Sequence, residues 1–198
     1  MNTNVLDNAA LLLSRIQGVG SRSSKRILLD LMKKKDSLLQ PLIQTLQELS
    51  SSIVVCENCF NIDVSNPCSI CSDNSRNKSI VCVVEDLNSL WAIERTKTYF
   101  GIYFVLGGTL SGIKYNDPSK LNIEKLIAKI NSSNIEELII ATPATLEGQI
   151  TANYIQDSII QSNIKVSMLA QGIPIGGEID YLDEITLSTA LKLRKNLS

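Results

Sequence analysis

The chain contains no histidine among its 198 residues, and this absence removes whole classes of active site. Ser-His-Asp triads and Cys-His pairs both use an imidazole as the base, so enzymes of those types are excluded by composition. Any zinc site built on the cysteines of this chain must also be all-sulfur, because no imidazole is present to complete it.

Long apolar runs are also missing. No uninterrupted apolar stretch approaches 18 residues, which excludes a membrane span. Residues 1–10 are polar and lack the basic flank and apolar core of a signal peptide. We therefore expect a protein of the reducing cytoplasm. A composition of 44% hydrophobic and 20% charged residues is ordinary for a globular chain, which could form one large domain or two small ones.

Four of the five cysteines, Cys56, Cys59, Cys68 and Cys71, follow the pattern C-x₂-C-x₈-C-x₂-C. Two such knuckles place four thiolates tetrahedrally around one Zn²⁺ at about 2.3 Å each. A site closed by four thiolates is structural, since catalytic zinc keeps one position open. The alternative is a pair of disulfides, but bridges within each C-x₂-C would close tiny loops and stabilise little. In a reducing compartment the spacing favours metal. Cys82 lies in the apolar run 80–84 and is predicted to be a buried core thiol.

The distribution of charge is more informative than its sum. The formal net charge of −1 gives no support to nucleic-acid binding. Between positions 14 and 35, however, there is one acid, Asp30, against seven basic residues: Arg15, Arg22, Lys25, Arg26, Lys33, Lys34 and Lys35. Such a local excess is expected of a surface that faces phosphates. On charge alone, a solvated helix face is the alternative.

The first 52 residues are predicted to be helical. A helix over 4–16 meets Gly18-Val19-Gly20, Ser21 is a plausible N-cap for a second helix, and a third helix follows Asp36-Ser37. Helix, Gly-Val-Gly, helix is typical of a helix-hairpin-helix motif, whose glycines leave backbone N–H groups free to meet phosphate. Arg22, Lys25 and Arg26 would add sequence-independent contacts to DNA, and a plain αα-hairpin is the alternative.

From residue 80 onward, short apolar runs alternate with helical patterns. Strands are predicted over 80–84, 102–106, 138–141 and 166–169, with helices over 86–97, 119–132 and 148–162. Strands that alternate with helices predict a mainly parallel sheet covered on both faces. The tail from Gln171 is predicted to form a glycine-rich loop and then a short helix from Asp183 to Lys195.

Glu85, after the first predicted strand, and residues 141–148, after a later one, resemble the Toprim fold. Catalytic Toprim enzymes hold Mg²⁺ with one glutamate and an Asp-x-Asp pair. In this chain Pro143 and Thr145 stand at the two aspartate positions, and only Glu147 follows. Nuclease or topoisomerase chemistry is therefore disfavoured. The alternative is that Glu85 and Glu147 are simply exposed loop carboxylates.

Taken in order, these features resemble the RecR family of recombination mediator proteins over nearly the whole chain. The matching segments are the hairpin 17–26, the four cysteines, 82–85, 101–108, 146–152 and 170–178 with Tyr181 and Asp183-Glu184. The resemblance implies an α+β multi-module chain. Its parts are a helix-hairpin-helix DNA-binding region (1–52), a four-cysteine zinc finger (53–77), an α/β Toprim domain with a mainly parallel sheet (78–170) and a C-terminal helical oligomerisation tail (171–198).

The resemblance also implies a non-enzymatic role. Members of the family form dimers or tetrameric rings, carry one structural zinc per chain and bind gapped, single- and double-stranded DNA. They act with RecO, and often RecF, to help load RecA in recombinational repair, which implies a cytoplasmic, nucleoid-associated protein. By matching position, Arg22 and Arg26 correspond to DNA-contacting residues, and Glu85 and Glu147 to the acidic face where RecO docks. A metal-dependent Toprim nuclease or topoisomerase, and a zinc adaptor with no DNA role, are the alternatives.

Overall fold

The computed structural model describes residues 3–110, 120–160 and 164–194. The chain divides into two compact units, Met1–Ile53 and Val54–Ser198, and the cysteine module belongs to the second. Within the described ranges, no helix combines the length and the apolar character needed to cross a membrane. The fold class predicted from the sequence is confirmed, because helices precede a small cysteine module and a parallel sheet.

The first unit is entirely helical. Its elements are α1 (Thr3–Ser14), α2 (Ser21–Lys33), a π-helical turn (Lys35–Leu39) and α3 (Gln40–Ser52). The turn between α1 and α2 depends on Gly18, whose φ of +81° is strained for any residue with a side chain. The sequence placed the N-cap of α2 at Ser21, but the cap is Gly20 and Ser21 is the first helical residue. The predicted third helix is preceded by the π-helical turn, and Pro41 lies in the first turn of α3.

The second unit begins with the cysteine module. Two short antiparallel strands, β1 (Val54–Val55) and β2 (Ile62–Asp63), pair Val54 with Asp63 and Val55 with Ile62. The four-residue helix α4 (Ser69–Ser72) follows and carries the last of the four cysteines.

A four-stranded sheet forms the body of the second unit. Its strands are β3 (Asn77–Val84), β4 (Gly101–Val105), β5 (Glu137–Ala141) and β6 (Lys165–Met168), in the order β4-β3-β5-β6 with every pair parallel. The crossovers contain α5 (Leu87–Arg95), α6 (Ile123–Ser132) and α7 (Leu146–Ser158). All four strands lie where the apolar runs predicted them. Residues 161 and 162 of the predicted third crossover helix lie outside the described residues.

The sheet is buried on both faces, as parallel sheets are. Alternate residues of β3 point to opposite sides, so Val81 and Val83 join one apolar cluster and Cys82 and Val84 the other. Cys82 is 2% exposed, which confirms the predicted core thiol, and burial raises its pKa to about 12. The sheet thus gives a rigid platform on which loops at both ends of the strands are held.

The C-terminal tail consists of a 3₁₀ turn (Ile179–Tyr181) and α8 (Glu184–Lys192). Asp183 caps α8 by accepting hydrogen bonds from the backbone N–H groups of Ile185 and Thr186. Lys195, the predicted end of this helix, lies outside the described residues. Many apolar side chains of the tail are exposed: Ile175, Ile179, Tyr181, Ile185, Leu191 and Leu193. The tail therefore leaves much of its apolar surface uncovered in the single chain.

Gly148 provides a test of the turn between β5 and α7. A Cβ atom at this position would lie 2.0 Å from the carbonyl oxygen of Pro143. We expect Gly148→Ala to lower the free energy of unfolding by about 1–3 kcal/mol, although alanine normally stabilises a helix interior. Gly20→Ala is the matched control, since its φ is −80° and no atom lies within 4 Å of the added Cβ. Denaturant unfolding followed by circular dichroism measures both, and equal midpoints for Gly148→Ala and the parent would contradict the packing argument.

Candidate metal centre and interaction surfaces

The four cysteines of the two knuckles come together at one point. The Sγ atoms of Cys56, Cys59, Cys68 and Cys71 all lie within 4.8 Å of one another, and those of Cys59 and Cys68 are 3.5 Å apart. Four sulfurs at about 2.3 Å from a central zinc would be about 3.8 Å apart, so the cluster has the size of a tetrahedral site. All five cysteines of the chain are free thiols, which removes the disulfide alternative.

Backbone hydrogen bonds hold each knuckle in place. In the first knuckle, the N–H of Cys56 donates a hydrogen bond to the carbonyl of Asn61 at 2.7 Å. The N–H of Phe60 donates to the carbonyl of Cys56 at 2.9 Å. The N–H of Cys68 donates to the Sγ of Cys56 at 3.4 Å and so links the second knuckle to the first. Such donors orient sulfur ligands and stabilise their negative charge.

Asp63 fastens the second knuckle from outside. Its Oδ2 accepts hydrogen bonds from both the N–H and the hydroxyl of Ser69 at 2.8 Å. These donors, with the N–H of Val64, hold the pKa of the Asp63 carboxyl below its usual value. The carboxylate thus fixes the start of α4. It thereby also holds Cys68, just before the helix, and Cys71, within it.

The electrostatics of the cluster fit a bound cation. A hydrogen bond with Cys59 lowers the pKa of Cys71 to about 6, and the same bond, together with burial, raises the pKa of Cys59. Four thiolates this close together repel one another and require a central positive charge. A bound Zn²⁺ would supply that charge and cross-link the two knuckles. With four sulfur ligands the site is closed and structural, as the spacing predicted.

The cysteine module is attached to the edge of the sheet. The N–H of Val105 on the edge strand β4 donates to the carbonyl of Cys59 at 2.9 Å. Phe60 packs edge-to-face on Phe104 with ring centroids 5.2 Å apart, and Nζ of Lys129 donates to the carbonyl of Asn58 at 3.0 Å. The module thereby covers part of a strand edge that would otherwise expose unpaired backbone groups.

Glu85 and Glu147 follow neighbouring strands at the carboxyl edge of the sheet. Val84 of β3 pairs with Ala141 of β5, so the segments after these two strands begin side by side. Both glutamates are partly exposed. Among the described residues, the only group of three or more metal-ligating side chains is the cysteine cluster.

Other residues at this edge have structural roles. The side chain of Thr145 caps α7 by accepting a hydrogen bond from the N–H of Gly148 at 3.2 Å. Asp86, next to Glu85, caps α5 by accepting from the N–H of Ser89 at 2.8 Å, and this bond is the main reason that its pKa is lowered. The position of an expected metal-binding aspartate thus holds a helix cap.

Arg22, Lys25 and Arg26 lie on the first turns of α2 in the other unit. Their spacing of three and four residues places them on one face of the helix, and all three are exposed. None forms an ion pair with a described residue, in contrast to Lys34, whose Nζ is 3.0 Å from Asp30. Gly20 caps the helix without a side-chain acceptor, which leaves the N–H groups of the first turn available. A DNA-binding role for these residues stays a prediction, as does partner binding by the two glutamates.

A groove lies between the cysteine module and α5, and no sequence motif predicted it. Asn61, Arg76, Trp91 and Glu94 line it. They are distant in sequence, and the only indication available beforehand was an aromatic residue, Trp91, on a helix whose apolar stripe is otherwise aliphatic.

The metal site predicts different outcomes for two buried cysteines. Cys59→Ser removes a ligand, so we expect loss of bound zinc and of several kcal/mol of stability, because metal binding is coupled to folding. Cys82→Ser, outside the cluster, is the control and should keep the parent's one zinc per chain. Elemental analysis of protein purified without chelators measures the metal content. Absence of zinc from the parent, or equal zinc in both variants, would contradict the assignment.

Comparison with known proteins agrees with this architecture. Family models match as a RecR four-cysteine zinc finger domain over residues 53–73, a Toprim domain over 79–170 and a RecR C-terminal segment over 172–195. The chain is 48% identical over 183 residues to recombination protein RecR of Rhizobium leguminosarum, covering 92% of this chain and 91% of the relative. It is 47% identical over 194 residues to that of Rickettsia felis, covering 98% and 96%. The chain therefore belongs to the RecR family of recombination proteins, and this membership supports a role in recombinational repair.

Proposed function

We propose that this protein is a non-enzymatic, DNA-binding recombination mediator. It acts with RecO, and with RecF where that protein is present, to help load RecA on gapped or single-stranded DNA in the cytoplasm, at the nucleoid. The observation that carries the DNA-binding part of the proposal is the unpaired basic face of Arg22, Lys25 and Arg26 beside the open N-terminus of α2. In this proposal residues 1–52 are the DNA-binding region.

The basic face is suited to the phosphate backbone and not to base edges. Arg22 and Arg26 occupy successive turns of one helix face, and the backbone N–H groups at its start favour an anion. Contacts of this kind fix position without reading sequence. We therefore propose sequence-independent binding of single- and double-stranded DNA, with an affinity that falls as salt rises.

The Toprim domain, residues 78–170, is proposed to be a docking platform and not a catalyst. A Toprim nuclease or topoisomerase would need three clustered carboxylates for Mg²⁺, and the described residues contain no such cluster. Pro143 has no ligand atom in its side chain, and Thr145 is committed to capping α7. Glu85 and Glu147 then remain as unneutralised charge at an exposed edge, which suits a basic surface of RecO.

Exposed apolar surface supports assembly into a homo-oligomer, either a dimer or a tetrameric ring. In the first unit Val5, Leu12 and Leu46 are each more than half exposed. In the tail, residues 171–198, the apolar side chains of α8 and the preceding turn are likewise uncovered. In this proposal a second copy of the chain covers these exposed apolar side chains. The zinc finger, residues 53–77, serves as a structural module in this proposal.

Arg22→Ala and Arg26→Ala test the DNA site. Each should weaken binding to unrelated sequences about equally and reduce the slope of log affinity against log salt by about one unit for each phosphate that the variant no longer neutralises. Lys34→Ala is the control, because this lysine is already paired with Asp30. Fluorescence anisotropy with labelled oligonucleotides across a salt titration measures the slope. If all three variants keep the parent's affinity and slope, DNA binding lies elsewhere.

Glu147→Lys tests the docking platform. Charge reversal at the carboxyl edge of the sheet should weaken RecO binding about tenfold or more through like-charge repulsion, while DNA affinity and zinc content stay unchanged. Glu136→Lys is the control, since Glu136 is an exposed acid that precedes β5 at the opposite edge. Surface plasmon resonance with RecO and anisotropy with DNA should be run in parallel.

Two results would contradict the platform. Unchanged RecO affinity for Glu147→Lys would remove this residue from the interface. Mg²⁺-dependent DNA cleavage by the pure parent protein would overturn the non-enzymatic role itself.

A further inference from the structure

An open groove of about 490 Å³ lies between the cysteine module and α5. We call it the Trp91 groove. Asn61 lines it from the cysteine module, Trp91 and Glu94 line it from α5, and Arg76 lies at its base just before β3. The indole of Trp91 is 59% exposed although it belongs to the helix that packs on the sheet.

Two buried polar atoms of the groove have no hydrogen bond. Asn61 is only 4% exposed, and its Oδ1 accepts no hydrogen bond from any described residue. Nε of Arg76 donates none either, although it lies 3.5 Å from Oδ2 of Asp73 and the rest of the guanidinium is paired with Glu94. Buried polar groups in folded proteins are nearly always hydrogen-bonded, so these two buried atoms make the wall beneath the groove polar and not apolar.

The charge of the groove selects a cation. Asp63, Asp73 and Glu94 line it against a single positive charge, Arg76. Asp63 and Asp73 keep their charge, because donors from Ser69 and Ser75 lower the pKa values of these two carboxyls. Phosphate, and with it nucleic acid, is repelled from such a surface. The three acids also do not form a metal-binding group among the described residues.

We propose that the Trp91 groove binds an arginine side chain carried on an extended segment of a partner protein. The guanidinium stacks on the exposed face of Trp91 and lies in the field of the three carboxylates that line the groove. Arginine fits better than lysine, because its planar fork stacks on aromatic rings and offers several donors at once.

This groove is separate from the platform formed by Glu85 and Glu147. Arg76 immediately precedes β3, whereas Glu85 immediately follows it, and a strand of eight residues is about 25 Å long. Neither Glu85 nor Glu147 lines the Trp91 groove, so the two sites share no residue. Failure of the RecO docking prediction would not affect the groove, and the reverse also holds.

The chain itself supplies the probe, because Trp91 is its only tryptophan. We would titrate the zinc-loaded full chain with a capped pentapeptide, Gly-Leu-Arg-Leu-Gly, and record tryptophan emission. The matched peptide replaces arginine by citrulline, which keeps the shape and removes the charge. The arginine peptide should change the emission saturably, with an affinity about tenfold above that of the citrulline peptide and reduced at high salt.

Variants locate the site by anisotropy of a dye-labelled arginine peptide. Trp91→Ala should reduce affinity about tenfold, and Phe100→Ala is the matched control, because Phe100 is an equally exposed aromatic residue (65%) outside the groove. Glu136→Lys should leave peptide binding unchanged, because Glu136 is an exposed acid that does not line the groove. Zinc content, measured for each variant, verifies that the cysteine module is intact.

Several results would overturn the proposal. One is equal binding of the arginine and citrulline peptides, or no binding of either. Another is unchanged affinity in Trp91→Ala. A third is a shift of tryptophan emission with protein concentration in the absence of peptide, together with a smaller oligomer for Trp91→Ala. These two observations would mean that a second copy of this chain occupies the groove.

Discussion

The cross-link between the two cysteine knuckles is the constraint on which the second unit depends. The module contains two strands of two residues each and one helix of four, which is too little secondary structure to fold alone. Its buried cluster consists of Cys56, Cys59 and Cys68 themselves. A central cation therefore holds the module together in place of an apolar core. Through Cys59 and Phe60 the module then covers the edge of β4 and packs against both apolar clusters of the sheet.

The carboxyl edge of the sheet keeps the strand arrangement of a Toprim domain, while two of its side chains serve as helix caps. Thr145 caps α7, and Asp86 caps α5, so both side chains are used to start helices. The loop between β5 and α7 is tight, because Gly148 lies against the carbonyl of Pro143. These contacts preserve the position of Glu85 and Glu147 on adjacent strands. What remains is an oriented pair of charges suited to recognition of a partner.

Much of this arrangement could be predicted from the sequence, for physical reasons. Buried parallel strands are continuous apolar runs, so β3 to β6 stand out, and the cysteine spacing is set by the geometry of a tetrahedral metal. The π-helical turn before α3 could not be predicted, since its residues have no distinctive pattern. Nor could the Trp91 groove, because Asn61 and Trp91 meet only after the module docks on the sheet. Contacts made by tertiary packing leave no local periodicity.

The net charge of −1 conceals an uneven distribution of charge between the two units. Basic residues are concentrated on α2 of the first unit, where the open helix terminus adds to their attraction for phosphate. The second unit presents acidic side chains, both at the carboxyl edge of the sheet and in the Trp91 groove. Acidic surfaces repel DNA and attract basic proteins, so the proposed DNA site and the proposed partner sites lie on surfaces of opposite charge.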